Sequence, residues 1–211
     1  MKYKIFGDIH GKHKEWEKLL LASDADCNLC VGDIGIGFRK KGGWITTNWL
    51  PHNTFYIHGN HDNPTKCVGQ KGYLGRYGSI NDFFFVSGAD SIDREYRTYG
   101  VDWWPEEELS HSECEKALEL YKDLKPDYVL SHDFPREVSL LLKEAVKGNG
   151  FEHIGLKNTP TRLLLQKMFE FHQPYYWIGG HWHTNFRKRI EKTEFICLNE
   201  LDTFNLRISN I

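Results

Sequence analysis

Five short segments gather carboxylate, amide and imidazole side chains, most of them beside glycine: Gly7-Asp8-Ile9-His10-Gly11, Gly32-Asp33, Gly59-Asn60-His61-Asp62, Ser131-His132-Asp133 and Gly180-His181-Trp182-His183. Carboxylate oxygen and imidazole nitrogen are donors that divalent metal ions take from proteins. Asp8 and His10 are two residues apart, as are His181 and His183, and in extended chain such pairs project to one side. Each pair can therefore offer both donors to one metal cluster. The flanking glycines permit the tight or left-handed backbone with which a strand end turns beneath an ion. A lone Asp-x-His carries little information. Five donor-bearing segments, each behind its own strand candidate, point jointly to a metal centre.

The elements that must position these donors read as alternating strands and helices. Tyr3 to Gly7, Cys27 to Val31, Thr54 to Ile57, Phe83 to Val86, Tyr128 to Leu130 and Tyr175 to Ile178 are short runs rich in aromatic or branched residues, which predicts strands. Trp16, Leu19, Leu20 and Leu21 give His13 to Ala22 an apolar side at helical spacing. Ser110 and Glu113 have capping-box spacing ahead of a helix to about Leu124. Pro160 after Thr159 suits the first turn of a helix to Phe171, and Glu137 to Val146 is a third candidate. Strands alternating with helices predict an α/β fold with a largely parallel sheet, whose ligands lie beyond the carboxyl ends of the strands. With no repeat or linker in 211 residues, one domain spanning 1–211 is expected.

In order, these segments resemble the calcineurin-like metallophosphoesterase superfamily, whose pattern is D-x-H, G-D, G-N-H-D/E, a lone His, then G-H-x-H; the match runs from Asp8 to His183. The resemblance implies a four-layered α/β/β/α sandwich around two β-sheets, with two divalent metals at the strand ends. It also implies that Asp8, His10 and His183 hold one metal and Asn60, His132 and His181 the other, with Asp33 bridging. A carboxylate has two oxygens to share between cations, whereas the Asn60 amide supplies a neutral one. Two divalent ions less the charges of Asp8 and Asp33 leave about +2, which attracts a phosphate anion. Such a pair lowers the pKa of a bridging water and aims the hydroxide at phosphorus. His61 matches the superfamily's general acid for the departing oxygen. Asp62 either orients His61 or finishes the loop. Protein serine/threonine phosphatases and several dinucleotide hydrolases of the superfamily carry G-D-x-x-D, but the second carboxylate position here is Ile36, which disfavours a protein-phosphatase reading. Asp62 or a backbone carbonyl remains to fix the imidazole. Imidazole, carboxylate and amide donors accept manganese, iron, zinc, cobalt or nickel, with Mn²⁺ the default for assay.

Composition bounds the remaining possibilities. Hydrophobic residues make up 40% and charged residues 27%, as in a globular chain. No apolar run reaches the roughly 18 residues of a membrane span, and Met1 to Gly7 lacks a signal peptide's layout, so a cytoplasmic protein without membrane contact is expected. The cysteines, Cys27, Cys30, Cys67, Cys114 and Cys197, are odd in number and read as reduced thiols. Cys27 and Cys30 sit three apart on a strand and so face opposite sides, which disfavours a shared metal. The net charge of −2 gives no global basic surface, although Arg39-Lys40-Lys41 and Arg187-Lys188-Arg189 form basic clusters. The stretch from Gly88 to Leu109 combines acids, arginines and Trp103-Trp104 without a period, as a loop bordering a cleft would; Arg94 is its candidate substrate contact, ordinary ion pairs and a buried Trp pair being the alternative. His13 and His58 lie near metal motifs and are candidates for supporting contacts, while His52, His111, His153 and His172 read as surface or core residues. Asp133 either supports a ligand or caps a turn.

The expected function is hydrolysis of small phosphomonoesters or phosphodiesters, including nucleotides. A nuclease on the same core, encouraged by the basic clusters, and a non-catalytic binding scaffold are the competing readings. The sequence carries no sign of oligomeric state.

Overall fold

The structure, a computed structural model, describes residues 1–40, 43–146 and 156–209. In chain order its elements are β1 (Lys2–Phe6), α1 (His13–Leu21), β2 (Cys27–Cys30), β3 (Arg39–Lys40), β4 (Gly43–Trp44), β5 (Thr54–Tyr56), α2 (Pro64–Cys67), β6 (Tyr77–Ile80) and β7 (Phe83–Val86). These are followed by α3 (His111–Leu124), β8 (Tyr128–Ser131), α4 (Arg136–Ala145), α5 (Pro160–Phe171), β9 (Tyr176–Gly179), β10 (Phe186–Ile190), β11 (Thr193–Cys197) and β12 (Thr203–Arg207). One sheet has the order β12-β1-β2-β5 and the other β10-β11-β9-β8-β7-β6, while β3 and β4 form a separate hairpin.

Period-two alternation sorts the strand residues into three apolar layers. Phe83 and Phe85 of β7 join Tyr3, Ile5, Leu29, Leu130 and Ile178 in the core between the sheets. Phe84 and Val86 face the other way, against Tyr121 of α3, Leu142 of α4 and Leu165 of α5. Phe6, Cys30 and Tyr56 turn outward from the smaller sheet onto Trp16 and Leu20 of α1. The result is four layers: helix, sheet, sheet, helices. Cys27 lies in the inter-sheet core and Cys30 in the outer one, as expected for positions three apart on a strand. All five cysteines are free.

The expectation of a largely parallel sheet needs correction. The pairs β1-β2, β2-β5, β7-β8, β8-β9 and β9-β11 are parallel, but β12, β6 and β10 close the sheets antiparallel. β12 exposes alternate polar side chains and β10 exposes three in a row, Arg187, Lys188 and Arg189; such charged, solvent-facing strands suit edges, and neither was foreseen. The predicted helices stand within a residue of their bounds. The capping box at Ser110 is complete: Ser110 Oγ accepts from the Glu113 N–H and the Ser110 N–H donates to Glu113 Oε2 at 2.8 Å. Among the described residues no helix is long and apolar enough to cross a membrane.

Candidate metal centre

Each donor segment follows a parallel strand. Asp8 and His10 leave the end of β1, Asp33 that of β2, Asn60 and His61 that of β5, His132 that of β8, and His181 and His183 that of β9. The carboxyl edges of the two sheets meet, so donors 175 residues apart in sequence share one place. Four of them, His10, Asp33, His181 and His183, hold φ at 43°, 53°, 68° and 45°. The left-handed region costs a non-glycine residue roughly 1–2 kcal/mol, and strain gathered at one point marks a site whose geometry the fold enforces.

Two clusters of donor atoms adjoin Asp33. In the first, His10 Nε2 and His183 Nε2 lie 2.7 Å apart, His183 Nε2 is 3.5 Å from Asp8 Oδ2, and His10 Nε2 is 3.4 Å from Asp33 Oδ2. One ligand atom from each of these four residues lies within 4.8 Å of every other. In the second, Asn60 Oδ1 is 3.1 Å from His132 Nε2 and 2.8 Å from His181 Nδ1, and His132 Nε2 is 3.3 Å from Asp33 Oδ1. The two oxygens of Asp33 thus face different clusters.

The donor set fits cations on several grounds. Asp8 Oδ1 and Asp33 Oδ2 are enclosed and accept no hydrogen bond, a costly state for carboxylate oxygens unless a cation meets them. Against the penalty of burial, the imidazoles around them hold both acids below the usual carboxylate range. Likewise against burial, the charges of Asp33 and Asp8 raise His132 to about 10, so two anions draw positive charge to this point. Burial lowers His181 to about 4, keeping it in the neutral form that binds metals. The backbone leaves room as well: a Cβ on Gly59 would stand 2.0 Å from Asp33 Oδ1 and 2.5 Å from the His132 ring, and one on Gly180 would stand 2.0 Å from Asp8 Oδ1.

Supporting contacts hold the donors in place. His132 Nδ1 donates to the Val31 carbonyl at 2.8 Å, which leaves Nε2 free to ligate. Asn60 Nδ2 reaches Ser91 Oγ at 3.5 Å, and Ser91 donates its N–H and its hydroxyl to buried Glu107, both at 2.7 Å. Trp103 Nε1 also donates to Glu107. Asp133 is enclosed and binds Trp182 Nε1 and Arg162 Nε, each at 2.9 Å, tying the His181-Trp182-His183 turn to α5; of the two alternatives for Asp133, support of a ligand-bearing turn is the one seen.

His61 packs edge-on against His10, ring centroids 4.9 Å apart, and its backbone N–H donates to Asp33 Oδ1 at 2.8 Å. Among the described residues neither Asp62 nor a backbone carbonyl bonds its imidazole. Asp62 is fully buried and its two oxygens accept from the N–H groups of Ile34, Gly35, Ile36 and Gly59, so it finishes the loop and has no oxygen to spare for His61. Burial and then the Asp33 charge push Asp62 up to about 6 against those donors. The side chain of Ile36 lies in the apolar core with Trp16. What meets His61 Nε2 is Arg97 Nη2, at 2.8 Å. A guanidinium only donates, so Nε2 accepts and the ring is neutral. Burial, with Arg97 and His10, sets His61 below the usual imidazole range, although Asp33 pulls the other way.

Arg97 was not singled out from the sequence, where Arg94 was chosen three residues away in the same stretch. Arg94 is not among the residues that line the cavity: its side chain is 45% exposed and pairs at 3.3 Å with Asp90, which does line it. The only available signal was the stretch itself, which does border a cavity of about 290 Å³ beside the metal donors. Of the neighbouring histidines, His13 bonds the Ile34 carbonyl at 2.7 Å, and His58 is buried against the Tyr73 hydroxyl and driven down to about 3 by burial. His172 bonds the Pro126 carbonyl, His52 and His111 are exposed, and His153 lies outside the described residues. Arg187 and Arg189 share Glu194, so that basic cluster is partly neutralised; Lys41 of the other lies outside the described residues.

Similar architectures are known. A dimetal phosphatase from Danio rerio has a TM-score of 0.51 at 12% identity, over 95% of this chain and 88% of that one. GAP50, the anchor in the inner membrane complex of Plasmodium, has a TM-score of 0.50 at 13% identity, over 94% of this chain and 71% of that one. At such identity these likenesses show the fold alone. No curated protein matches the sequence. The model of the calcineurin-like phosphoesterases matches residues 1–185, taking in all five donor segments, and the chain therefore belongs to that family.

Proposed function

We propose that this protein is a dinuclear-metal phosphoesterase that hydrolyses phosphomonoesters or phosphodiesters of small organic or nucleotide substrates. The observation that carries this reading is Asp33, enclosed between two donor clusters with one oxygen toward each. Asp8, His10, His183 and Asp33 would hold one divalent ion, and Asn60, His132, His181 and Asp33 the other. When bound, such ions neutralise phosphoryl oxygens and make a water acidic enough to serve as nucleophile near neutral pH.

The chain's own groups supply the rest. His61 stands beside His10 at the cavity wall and gives a proton to the departing ester oxygen. To do so it must give up its contact with Arg97, since Nε2 now accepts from a guanidinium. A phosphate group draws the guanidinium by paired, charge-assisted hydrogen bonds. Arriving substrate thereby frees Nε2 to take a proton from solvent, which His61 then passes to the departing oxygen. Asp62 ties the turn at Ile34 to Ile36 to Gly59 beneath these groups. The complete donor set favours an enzyme over a binding scaffold, and the pairing of Arg187 and Arg189 with Glu194 favours small esters over nucleic acid. Free thiols at all five cysteines suit the cytoplasm.

The test is metal analysis of the purified protein together with manganese-supported turnover of a monoester, a diester, cyclic nucleotides, dinucleotides and nucleic acid. Two bound equivalents and hydrolysis of at least one small ester are expected. Protein that retains both metals and cleaves no phosphate ester overturns the reading.

A further inference from the structure

The cavity does not stop at the metal donors. It is lined as well by Lys143 of α4, Lys157 and Arg162 of α5's approach and first turn, with Ile92, Val146, Leu156 and Trp182 supplying apolar wall. Its charges are unequally matched. Arg97 Nε pairs with Asp93 at 2.7 Å, Arg162 Nη2 lies 2.6 Å from Asp133, and Asp90 is already engaged by Arg94. Lys143 and Lys157 are both partly buried and neither forms an ion pair within contact distance with any described residue, although the charge of Lys157 reaches Asp90. Beside them Arg162, 2% exposed, holds Asp133 through both Nε and Nη2. Among the described residues of this wall and their partners, cations therefore outnumber acids: Asp90, Asp93 and Asp133 face Arg94, Arg97, Arg162 and the two lysines, and the partly buried ammonium groups are the ones left without a close carboxylate, an arrangement that favours an anion joining them.

We infer that this lysine-lined part of the cavity binds a second anionic group, so that the preferred substrates are phosphate esters whose leaving group carries a carboxylate or a further phosphate joined through a short apolar or aromatic body. The inference rests on the phosphoesterase reading above. In the reaction the oxygen of water bonds to phosphorus, the ester P–O bond breaks, and the leaving oxygen takes up a proton. The second anion stays on the leaving group throughout and is held by Lys143, Lys157 and Arg162 while the apolar wall covers the link.

The experiment uses manganese-loaded full-length protein and non-hydrolysable probes: alkylphosphonates, ω-phosphonocarboxylates and α,ω-diphosphonates of two to six methylenes, titrated by calorimetry. At one chain length the probes with a second anion should bind at least tenfold tighter than the alkylphosphonate of equal length, and the better second anion, carboxylate or phosphonate, names the source. Lys143→Met with Lys157→Met should abolish that preference, and Lys143→Arg with Lys157→Arg should retain it. Equal binding of all probes by the wild-type protein, or a preference that survives the double methionine change, overturns the inference. Ester hydrolysis without the preference leaves the phosphoesterase reading standing and the subsite refuted. The preference without any ester hydrolysis does the reverse.

Discussion

Around Asp33 the two donor clusters differ in depth, charge and bracing. The Asp8-His10-His183 cluster has two carboxylates counting the shared one, and it opens outward: the His183 side chain is 47% exposed. The Asn60-His132-His181 cluster has the shared carboxylate, a neutral amide and a fully enclosed His132. Its donors are held from behind, His132 by the Val31 carbonyl and Asn60 by the Ser91-Glu107 pair. On the two-metal reading the outer cluster would attract its ion by charge and let it exchange, while the inner one would rely on pre-set geometry and retain what it binds. A two-metal centre with one shared ligand can in this way give its ions different lifetimes.

The most damaging change is the one that removes what the clusters share. Asp33→Asn takes one charge from both and should lower turnover by roughly 10³-fold or more, with metal content falling below two equivalents in elemental analysis. A variant that keeps two equivalents would mean that the clusters hold their ions independently. His61 belongs to neither cluster, so His61→Ala should preserve both metals while slowing turnover of an ester with a poor leaving group by roughly 10² to 10⁴-fold. An ester with a good leaving group should suffer far less, and equal loss on both would remove the acid role.

Much of this centre could be read from residue types and spacing, and the reasons are physical. Asp-x-His, His-x-His and their glycines are local patterns, because a strand end that turns under an ion needs those residues within a few positions. The layers were equally legible: Phe83 to Val86 alternate between two cores as period two requires. What escaped was non-local or side-chain specific. β10 and β12 are edge strands whose polar faces lack the apolar signal used to find strands. Arg97 meets His61 across 36 residues, and nothing in the run from Gly88 to Leu109 ranks it above Arg94. Asp62 could not be assigned until its four backbone partners were in view.

The glycines allow the clusters to be attacked one at a time. Gly59→Ala drives a Cβ against Asp33 Oδ1 and the His132 ring, and so strikes the inner cluster; Gly180→Ala drives one against Asp8 Oδ1 and strikes the outer. Displacing a reacting group by about 1 Å can cost roughly 10²-fold in rate, and that loss is expected of each variant, checked on protein whose circular dichroism is native. Timed chelation separates them further. The wild-type protein should lose its metals in two phases, Gly180→Ala should lack the fast one and Gly59→Ala the slow one. A single phase in the wild type would erase the distinction between exchangeable and retained ions.

The smallest effect lies behind the inner cluster, at Glu107. Burial raises its pKa from 4.5 to about 7 despite the donors from Ser91 and Trp103. The folded protein therefore binds a proton here that the unfolded chain has released between these values, and folding stability depends on pH with the sign of that difference. The contribution is fully present below about pH 4.5, declines as pH rises, and is lost above about pH 7; at each unit of difference worth about 1.4 kcal/mol it amounts to a few kcal/mol at most. Glu107→Gln keeps the shape and removes the titration, so chemical denaturation across this window should show a shallower fall in stability than in the wild type. The same substitution replaces one acceptor oxygen by an amide nitrogen and loosens the hold of Ser91 on Asn60. It should weaken the inner ion by roughly tenfold, as changes behind a metal ligand do, and leave the outer one as it was. Equal weakening at both clusters would show that the bracing acts through the whole loop instead of through the Asn60 amide.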